Sequence, residues 1–355
     1  MFNSYPGHSA TAYNLADGVE WNIRPYRDGD LPSIVTLLNT ADAVDKLDEG
    51  TSEEELFSKF QNPSSDPARQ VIVVDGPRLP GMSTDSLLGY GRINFQDDLK
   101  ASERVYGTPR VIVHPAARGR GLEEAVARRL LEMARDNERR TDLPHMRKAR
   151  VRAFVREQNT TTRSLWEGFG LRPTRQFWDM ARSLHDPIDE PQCIDGVNIR
   201  NFRRPQDYEP ARIAYNLAFT DHWDNLAESE NEWNYYMSTP SVKPDLSWVA
   251  EVEDEPGTIA GLCICTIYDS ENLRGGRREG WIAELGTIRE RRRKGLGRAL
   301  LLHGLHSLRS AGLETALLGV DSQSLTGAQR LYESVGFRIR DRDLQYECPL
   351  DDVLI

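Results

Sequence analysis

The segment ELGTIRERRRKGLGRALL, residues 284–301, carries the strongest structural signal in this chain. It begins as an apolar strand that ends near Ile288, continues as a basic turn containing Gly295 and Gly297, and ends as a helix with an apolar face. Glycine has no Cβ, so the backbone of this turn can approach a ligand closely. The unpaired amides and the positive dipole end of the helix favour an anion such as a phosphate or pyrophosphate.

The turn is strongly basic although the whole chain is acidic. Six basic residues and one acidic residue lie between Arg289 and Arg298, whereas the net charge of the chain is −10. This contrast predicts a local anion site and disfavours general binding to nucleic acid or to an anionic membrane. For the charges taken alone, a solvated basic run or a nucleic-acid patch is the simpler alternative.

Two common phosphate-binding motifs do not fit this turn. Leu300 stands where a dinucleotide-binding GxGxxG motif needs its third glycine. Lys294 precedes Gly295, whereas the lysine of a P-loop follows a second glycine and precedes Ser or Thr. The turn therefore indicates another class of anion site.

The length and composition predict a globular protein with two domains. The chain has 355 residues, of which 39% are hydrophobic and 28% are charged, and a domain commonly has about 150 residues. The first residues lack a basic start followed by an apolar run, and no stretch approaches the roughly 18 apolar residues of a membrane span. We therefore expect a cytoplasmic protein without membrane contact.

Neither a disulfide framework nor a metal site is indicated. The four cysteines are few and scattered, which favours reduced thiols; they are Cys193, Cys263, Cys265 and Cys348. The sequence has no CxxC pair and no HExxH helix, and His303 and His306 lie one helical turn apart without a third ligand. The sequence thus predicts no bound metal.

Three landmarks recur in the same order in the two halves of the chain. Each half has a short strand with Ile-Arg before an acidic residue, then a basic glycine-containing turn before a helix, then an aromatic residue shortly before a glycine. The paired segments are NIRPYRDGD (22–30) with NIRNFRRPQD (198–207), HPAARGRGLEEAVARRLL (114–131) with RERRRKGLGRALLLHGL (289–305), and SLWEGFGL (164–171) with RLYESVGF (330–337). We infer that one fold is used twice.

The repeat sets the predicted domain organisation. A flexible N-terminus at 1–18 precedes a first domain at 19–185, and a linker at 186–196, rich in proline and acidic residues, leads to a second domain at 197–355. Within the second domain we predict strands at 248–253, 260–269, 282–288 and 314–321, with helices at 297–311 and 326–335.

At this point the chain resembles the GCN5-related N-acetyltransferase (GNAT) superfamily. Residues 292–297, RRKGLG, match every specified position of its signature Q/R-x-x-G-x-G/A, and LYESVGF at 331–337 is similar to the second signature of the family. The repeat extends the resemblance to tandem-domain members and to almost the whole chain. The resemblance implies an α/β (α+β) fold with two tandem domains, each a mixed, mostly antiparallel sheet flanked by helices.

The resemblance also implies acetyl-CoA as co-substrate. Its pyrophosphate would lie on the backbone amides of residues 293–298, and its pantetheine would lie between the strands that end at Ile288 and Asp321. The implied cofactor-binding residues are Thr287, Ile288, Arg292, Arg293, Lys294, Gly295, Leu296, Gly297 and Arg298.

The implied reaction moves an acetyl group from acetyl-CoA to a primary amine of a small molecule or peptide, by direct attack in a ternary complex. Tyr332 matches the family position whose phenol protonates the departing CoA thiolate. Glu284 is the predicted base, because a carboxylate on the strand leading to the turn can take a proton from the attacking ammonium, directly or through water. Several family members have the base at the position of Trp281, so Asp321 and His222 stay as alternatives.

Two further groups of residues are assigned by the resemblance. Backbone amides near Thr287 and Ile288 would stabilise the developing oxyanion. The acceptor pocket would be bordered by segments 218–225 and 233–237, where the candidate contacts are Asp221, His222, Trp223 and Tyr236. Aromatic residues at this density also occur in ordinary packing, which is the alternative for this group.

The first copy departs from the family pattern at two positions. Glu123 replaces the final Gly or Ala of the signature, which would place a carboxylate and extra bulk beside a diphosphate. Trp166 stands where the second copy has Tyr332, and an indole cannot release a proton to a thiolate. We therefore predict that the first domain is degenerate and that the second is catalytic.

Other functions stay open from sequence alone. A non-catalytic acyl-CoA sensor or scaffold would bind the same ligand without turnover, and a nucleic-acid module would use the basic turn. A covalent acyl-enzyme is disfavoured, because neither the Cys263 and Cys265 pair nor Cys348 has an obvious partnering histidine. The sequence does not indicate an oligomeric state.

Overall fold

A computed structural model of the chain describes residues 11–14, 20–47, 50–83, 86–98, 103–140, 148–223, 227–324 and 327–355. The chain divides into two compact units, Met1–Thr174 with Leu344–Ile355 and Arg175–Asp343. Most of the predicted flexible N-terminus at 1–18 lies outside the described residues, but Thr11–Asn14 form a strand. The predicted start of a helix at Thr326 also lies outside them.

The first unit is built on one mixed sheet. Its strands are β1 (Thr11–Asn14), β2 (Glu20–Pro25), β3 (Val71–Asp75), β4 (Gly89–Asp98), β5 (Glu103–Val113) and β6 (Lys148–Arg156), and its helices are α1 (Leu31–Asp45), α2 (Glu53–Phe60), α3 (Pro67–Gln70), α4 (Leu122–Arg140) and α5 (Thr160–Gly168). The strands pair in chain order, and all these pairs are antiparallel except β5 with β6.

The second unit repeats this plan. Its strands are β7 (Arg172–Ser183, from Arg175 onward), β8 (Val197–Asn201), β9 (Trp248–Val252), β10 (Ile259–Thr266), β11 (Glu279–Thr287), β12 (Thr315–Asp321) and the start of β13 (Arg338–Pro349), and its helices are α6 (Tyr208–Ala218), α7 (Glu230–Ser238), α8 (Asp269–Gly275), α9 (Leu296–Ser310) and α10 (Ala328–Ser334). The sheet runs β8-β9-β10-β11-β12-β7, with β11 and β12 the parallel pair. The predicted fold class, a mostly antiparallel sheet flanked by helices, is confirmed.

The unit boundaries differ from the predicted limits at 185 and 197. Residues 177–183 pair with β12 and belong to the second unit, whereas residues 344–355 belong to the first. The predicted linker also packs closely: Ile188 is buried in the core beneath α9, and Asp189 forms an ion pair with Arg298 at 2.7 Å. These contacts are long-range, so composition and local pattern did not reveal them.

Helices cover both faces of the second sheet. On one face, α9 contributes Leu300, Leu301 and Leu305 to a core that also contains Ile282 of β11. On the other face, α6 and α7 enclose a second core centred on Trp233 and apolar residues of β10. Apolar side chains on both faces of β10 explain why its sequence reads as a continuous hydrophobic run.

The Ile-Arg landmark has the same contacts in both units. In the first, the guanidinium of Arg24 binds Asp30 at 2.7 Å; in the second, that of Arg200 binds Asp207 at 2.6 Å. Each arginine also binds an acidic residue on the neighbouring strand. The sequence repeat therefore corresponds to a repeated local structure that fixes the first strand of each unit to its first long helix.

Gly304 of α9 allows the helix to lie close to the sheet. A Cβ built on it would be 2.7 Å from the sulfur of Cys263 and 2.8 Å from a methyl of Ile282. Gly304→Ala should therefore lower the free energy of unfolding by about 1–2 kcal/mol, although alanine ordinarily stabilises a helix relative to glycine. Urea denaturation measures this change. Gly168→Ala in α5 is the matched control, because nothing lies within 4 Å of its Cβ position; equal responses of the two variants would contradict the prediction.

Candidate active site

The basic turn and the start of α9 have the geometry of an anion site. Strand β11 ends at Thr287, a 3₁₀ turn spans Arg289–Arg291, and Gly295 precedes α9 with a φ of +86°. The amide of Ala299 makes the first helical bond, to the Gly295 carbonyl at 3.0 Å. Within the described residues, the three amides between these two residues donate to no acceptor, so they are available to an anionic ligand.

Gly297 borders the same space. A Cβ built on it would lie 3.8 Å from a methyl of Thr287 and 3.8 Å from a methyl of Leu331, which is an ordinary contact distance. An alanine methyl therefore fits, whereas a longer side chain would have to extend beside the free amides. This accounts physically for the Gly or Ala of the signature.

Arg292 is held by the protein. Its guanidinium donates to the Ala218 carbonyl at 2.8 Å, to the Thr287 carbonyl at 3.2 Å and to the carboxylate of Asp221 at 2.8 Å. The hydrogen bond from Arg292 lowers the pKa of Asp221 below its ordinary value. Arg292 therefore connects the turn to the end of α6, and Asp221, a predicted acceptor contact, serves as its partner.

Three basic side chains of the turn form no ion pair with a described residue: Arg291, which is half-buried, and two exposed ones. Arg298 forms an ion pair with Asp189 at 2.7 Å. Arg293 and Lys294 are exposed, and neither forms an ion pair with a described residue. These two cations, beside the free amides of α9, give the turn its local positive field.

Strands β11 and β12 pair only at their first residues. Register pairs join Glu279 to Thr315 and Trp281 to Leu317, and no pair follows in the described strands. Beyond Trp281 and Leu317, the facing edges of the described strands do not pair with each other. This opening matches the place where the family resemblance puts pantetheine.

The two predicted oxyanion donors differ in availability. The amide of Ile288 donates to the Ala260 carbonyl on β10 at 2.9 Å, so it is already used. Successive amides of an antiparallel strand point to opposite edges, and the amide of Thr287 therefore points to the β12 side, where pairing has ended. The Thr287 amide is therefore available for the predicted role, whereas the Ile288 amide is occupied.

Strand β11 contains a β-bulge at Ala283. Ile264 of β10 pairs with Glu284, and the next residue, Cys265, pairs with Ile282, which leaves Ala283 unpaired. An extra residue in one strand breaks the alternation of side chains between the two faces. The bulge therefore lets Ile282 and Glu284, two residues apart, face opposite sides of the sheet.

The two faces have different chemistry. Ile282 lies in the core beneath α9. Gly286 faces α6, because a Cβ built on it would contact Phe219 at 2.8 Å, and Glu284, two residues earlier, shares that face. The bulge thus takes a carboxylate out of the apolar core and directs it toward α6.

Glu284 is partly exposed and has an unusual environment. Within the described residues, its carboxylate has no hydrogen bond or ion pair. Burial raises the pKa of Glu284 to about 8, and the negative charge of Glu228 contributes to the rise. A carboxyl with this pKa can both accept and release a proton near neutral pH, as a general base must.

Tyr332 lies on α10 and is 8% exposed. Burial raises the pKa of its phenol to about 12, with smaller contributions from Cys263 and Glu284. Tyr332 therefore stays protonated at neutral pH and holds a proton that it can donate.

Asp321, an alternative base, is already bonded through both oxygens. Arg175 donates to its carboxylate at 2.6 and 3.0 Å, and the amide of Gln323 donates to it at 2.9 Å. Its side chain is buried. The arrangement fits a residue that fixes the end of β12 better than one that takes up a proton.

The other predicted acceptor contacts occupy different places. His222 is exposed, with Nδ1 3.1 Å from the Trp223 carbonyl. The ring of Trp223 lies under the guanidinium of Arg175, 4.7 Å from its centroid. For Tyr236, burial and then the Glu284 charge raise the pKa, and among the described residues its buried hydroxyl has no hydrogen-bond partner.

Two residues near Glu284 were missed by the sequence reasoning. Tyr215 of α6 has its pKa raised by burial and by the charges of Glu284 and Glu228. Glu228, before α7, has its pKa raised mainly by burial. The only sequence signal was Tyr215 four residues before Phe219 on one helix face, a pattern that ordinary packing also produces.

The first unit has the same turn conformation. Gly121 has the same φ of +86° as Gly295. Arg118 donates to the Val113 carbonyl at 3.2 Å and pairs with Asp45 near the end of α1, as its counterpart does in the second unit. The backbone of the signature is therefore kept in both copies.

The side chains at the reacting positions are not kept. Counted back from the signature glycine, Arg110 occupies the position of Glu284. Trp166, at the position of Tyr332, is 1% exposed and packs in the core. Glu123 lies in the first turn of α4. The first unit thus has neither the carboxylate nor the phenol of the second.

Two observations concern other kinds of site. In the described part of the chain, no three His, Cys, Asp or Glu side chains are grouped so that they could hold a metal ion. Among the same residues, no helix is both long and apolar enough to cross a membrane.

Comparison with known proteins identifies the class. The model of the acetyltransferase (GNAT) family matches residues 209–337. A mycothiol acetyltransferase of Thermobispora bispora is 30% identical over 320 residues, which are 90% of this chain and 96% of that protein. One from Streptomyces griseus is 27% identical, over 90% and 98%. The chain belongs to the acetyltransferase (GNAT) family.

Solved structures support the fold. A GCN5-related N-acetyltransferase from Sphaerobacter thermophilus has a TM-score of 0.69 and 23% identity, covering 93% of this chain and 96% of that one. A tandem GNAT protein from the clavulanic acid biosynthesis pathway has a TM-score of 0.66 and 16% identity, covering 93% and 98%. The predicted acetyl-CoA-dependent N-acetyl transfer is confirmed by the family, and nothing in these comparisons favours a non-catalytic sensor.

Glu284→Gln should stabilise the protein at high pH. A carboxyl whose pKa is higher in the folded than in the unfolded state stabilises the fold at low pH, and this contribution is lost as the pH rises through about 8. We expect similar melting temperatures at pH 5 and a gain of about 2 kcal/mol for the variant at pH 9. The exposed Glu290→Gln is the control and should show no such pH dependence; a parallel response would contradict the prediction.

Gly297→Glu should impair acetyl-CoA binding in the second unit. The new carboxylate would extend beside the free amides of α9 and repel a diphosphate, so we expect about a 50-fold rise in Kd by calorimetry. Gly297→Ala is the matched control, since its methyl fits, and its Kd should stay within a factor of about three. Unchanged affinity in the glutamate variant would show that the diphosphate binds elsewhere.

Proposed function

We propose that the second unit acetylates the primary amine of a small molecule by direct transfer in a ternary complex, with Glu284 as general base and Tyr332 as general acid. One observation carries this proposal: β11, which bears Glu284, and β12, which leads to Tyr332 on α10, cease to pair after Trp281 and Leu317. A base and an acid on either side of an open strand edge are what transfer from a thioester to an amine requires.

The diphosphate of acetyl-CoA would bind at the start of α9. The three free amides after Gly295 supply hydrogen-bond donors, and Arg293 and Lys294 supply positive charge. Leu296, Gly297 and Arg298 provide these amides. The thioester end would then reach into the opening between β11 and β12. Binding at this point aims the carbonyl carbon at the space between Glu284 and Tyr332.

Each proton that moves in the proposed reaction has a defined donor and acceptor. Glu284 takes one proton from the ammonium, and the freed lone pair attacks the thioester carbonyl. A C–N bond forms and the C–S bond breaks, with the negative charge of the intermediate facing the Thr287 amide. The leaving thiolate takes the phenolic proton of Tyr332. The nitrogen then returns a proton to the phenolate, and Glu284 releases its proton to solvent.

The raised pKa values suit these roles. Glu284 gains base character as the pH rises toward about 8, where many ammonium groups also begin to lose protons. Burial makes the phenol of Tyr332 a weaker acid, but the same burial raises the proton affinity of a thiolate formed beside it. The proton affinities of the Tyr332 phenolate and of the CoA thiolate therefore stay similar in the buried site.

The acceptor is proposed from the relatives. Those compared are named mycothiol acetyltransferase, so we propose a small-molecule amine of the mycothiol type as acceptor, with peptide amino termini as the second arm of an acceptor screen. The first unit is proposed to be structural, because it has Arg110 and Trp166 at the two reacting positions. Free cysteines and the use of acetyl-CoA support a cytoplasmic enzyme.

Tyr332→Phe should lower kcat by about 100-fold to 1,000-fold and leave the KM of the amine nearly unchanged, because it removes the proton donor alone. Release of the CoA thiol, measured with a screen of primary amines, gives both constants. Tyr208→Phe of α6 is the control, since its hydroxyl contacts only the Met237 carbonyl, at 3.5 Å. If both variants turn over like wild type, Tyr332 is not the acid.

A further inference from the structure

A second carboxylate, that of Glu228, belongs to a segment bonded to α6, the helix toward which Glu284 is directed. Glu228 is half-buried, and within the described residues its carboxylate forms no hydrogen bond or ion pair. Its charge acts on both Glu284 and Tyr215. Hydrogen bonds to Asn216 hold Glu228 next to Tyr215 on α6, and Gly286, which shares the face of Glu284, lies against the end of the same helix.

The backbone of Glu228 is fixed to α6. The side chain of Asn216 accepts from the Glu228 amide at 2.8 Å and donates to the Glu228 carbonyl at 3.0 Å. Arg212 donates to the same carbonyl at 2.8 Å. Since Asn216 follows Tyr215 directly, this bracket holds Glu228 beside the same turn of α6 that reaches Glu284.

No cation of the described residues neutralises the two carboxylates. Arg212, the basic residue bound to the Glu228 backbone, uses its other two nitrogens on Glu209, at 2.6 and 2.7 Å. The buried hydroxyl of Tyr236, on α7, also has no hydrogen-bond partner among the described residues. Two carboxylates without a counter-ion, beside an unbonded buried phenol, form a site that a cation with several N–H donors would complete.

We propose that Glu228 is a specificity-determining residue that binds the ammonium group of the acceptor together with Glu284. This rests on the proposed function and assigns different tasks to the two carboxylates. Glu284 takes the proton from nitrogen. Glu228 keeps its charge, accepts a remaining N–H, and stabilises the positive nitrogen that reappears once the C–N bond has formed.

The arrangement defines a substrate class. An acceptor must bring an isolated ammonium, because a carboxylate on the adjacent carbon would face Glu228 at close range. Amines with a neutral group beside the amine carbon should therefore be accepted and free α-amino acids rejected. Serinol and serine test this rule, since they differ only in a hydroxymethyl group against a carboxylate beside the same amine.

The experiment measures kcat/KM for serinol and serine by CoA release, and their binding by thermal shift. Wild type should prefer serinol at least 10-fold. Glu228→Gln should lower kcat/KM for serinol by about 10-fold to 100-fold, as expected for loss of a charge-assisted hydrogen bond, and should reduce the preference over serine. Loss of the neighbouring charge should also move the acid limb of the pH profile to lower pH.

Two variants separate recognition from structure. Glu230→Gln removes the same charge from an exposed residue of α7 and should leave the preference unchanged. Asn216→Ala keeps the carboxylate but removes its bracket, and should weaken serinol binding less than Glu228→Gln does. An unchanged serinol preference in Glu228→Gln would overturn this inference. If instead the proposed function itself is wrong, wild type and Glu284→Gln will release CoA equally slowly with every amine.

Discussion

The β-bulge at Ala283 is the constraint on which the active site depends. Without it, Glu284 would face the same side as Ile282, in the apolar core beneath α9, where a carboxylate is costly. With it, the carboxylate turns toward α6 three residues after Trp281, the last residue of β11 that pairs with β12. One unpaired residue therefore determines on which face of the sheet the proposed base lies and which helices can surround it.

The end of β11 also determines which backbone amides beside the turn are available to a ligand. At the end of β11, the amide of Thr287 points to the edge that faces β12. The next amide, that of Ile288, donates to the Ala260 carbonyl on the β10 side. Arg292 then folds back onto the carbonyl of Thr287 and onto the end of α6. The contact with the Ala218 carbonyl joins the turn to the helix that carries Tyr215, so Arg292 fixes the proposed cofactor site relative to the proposed acceptor site.

The sequence was sufficient for features that depend on local pattern. The glycines of the turn, the duplication, and Glu284 and Tyr332 as candidates followed from motifs and spacing. Contacts between segments separated in sequence could not be predicted from local pattern. Examples are the hydrogen bonds between Asn216 and Glu228 and between Arg292 and Asp221. Another is the assignment of residues 344–355 to the first unit. Composition shows that such groups exist, but only the fold shows which of them meet.

The division of the chain into units has a consequence for biosynthesis. Residues 344–355 belong to the first unit, where Tyr346, Cys348, Leu350 and Val353 are buried in its core. These residues are synthesised after the whole of the second unit. The first unit therefore cannot complete its core until the ribosome has translated past residue 343, and a polypeptide that stopped there would leave that core unfilled.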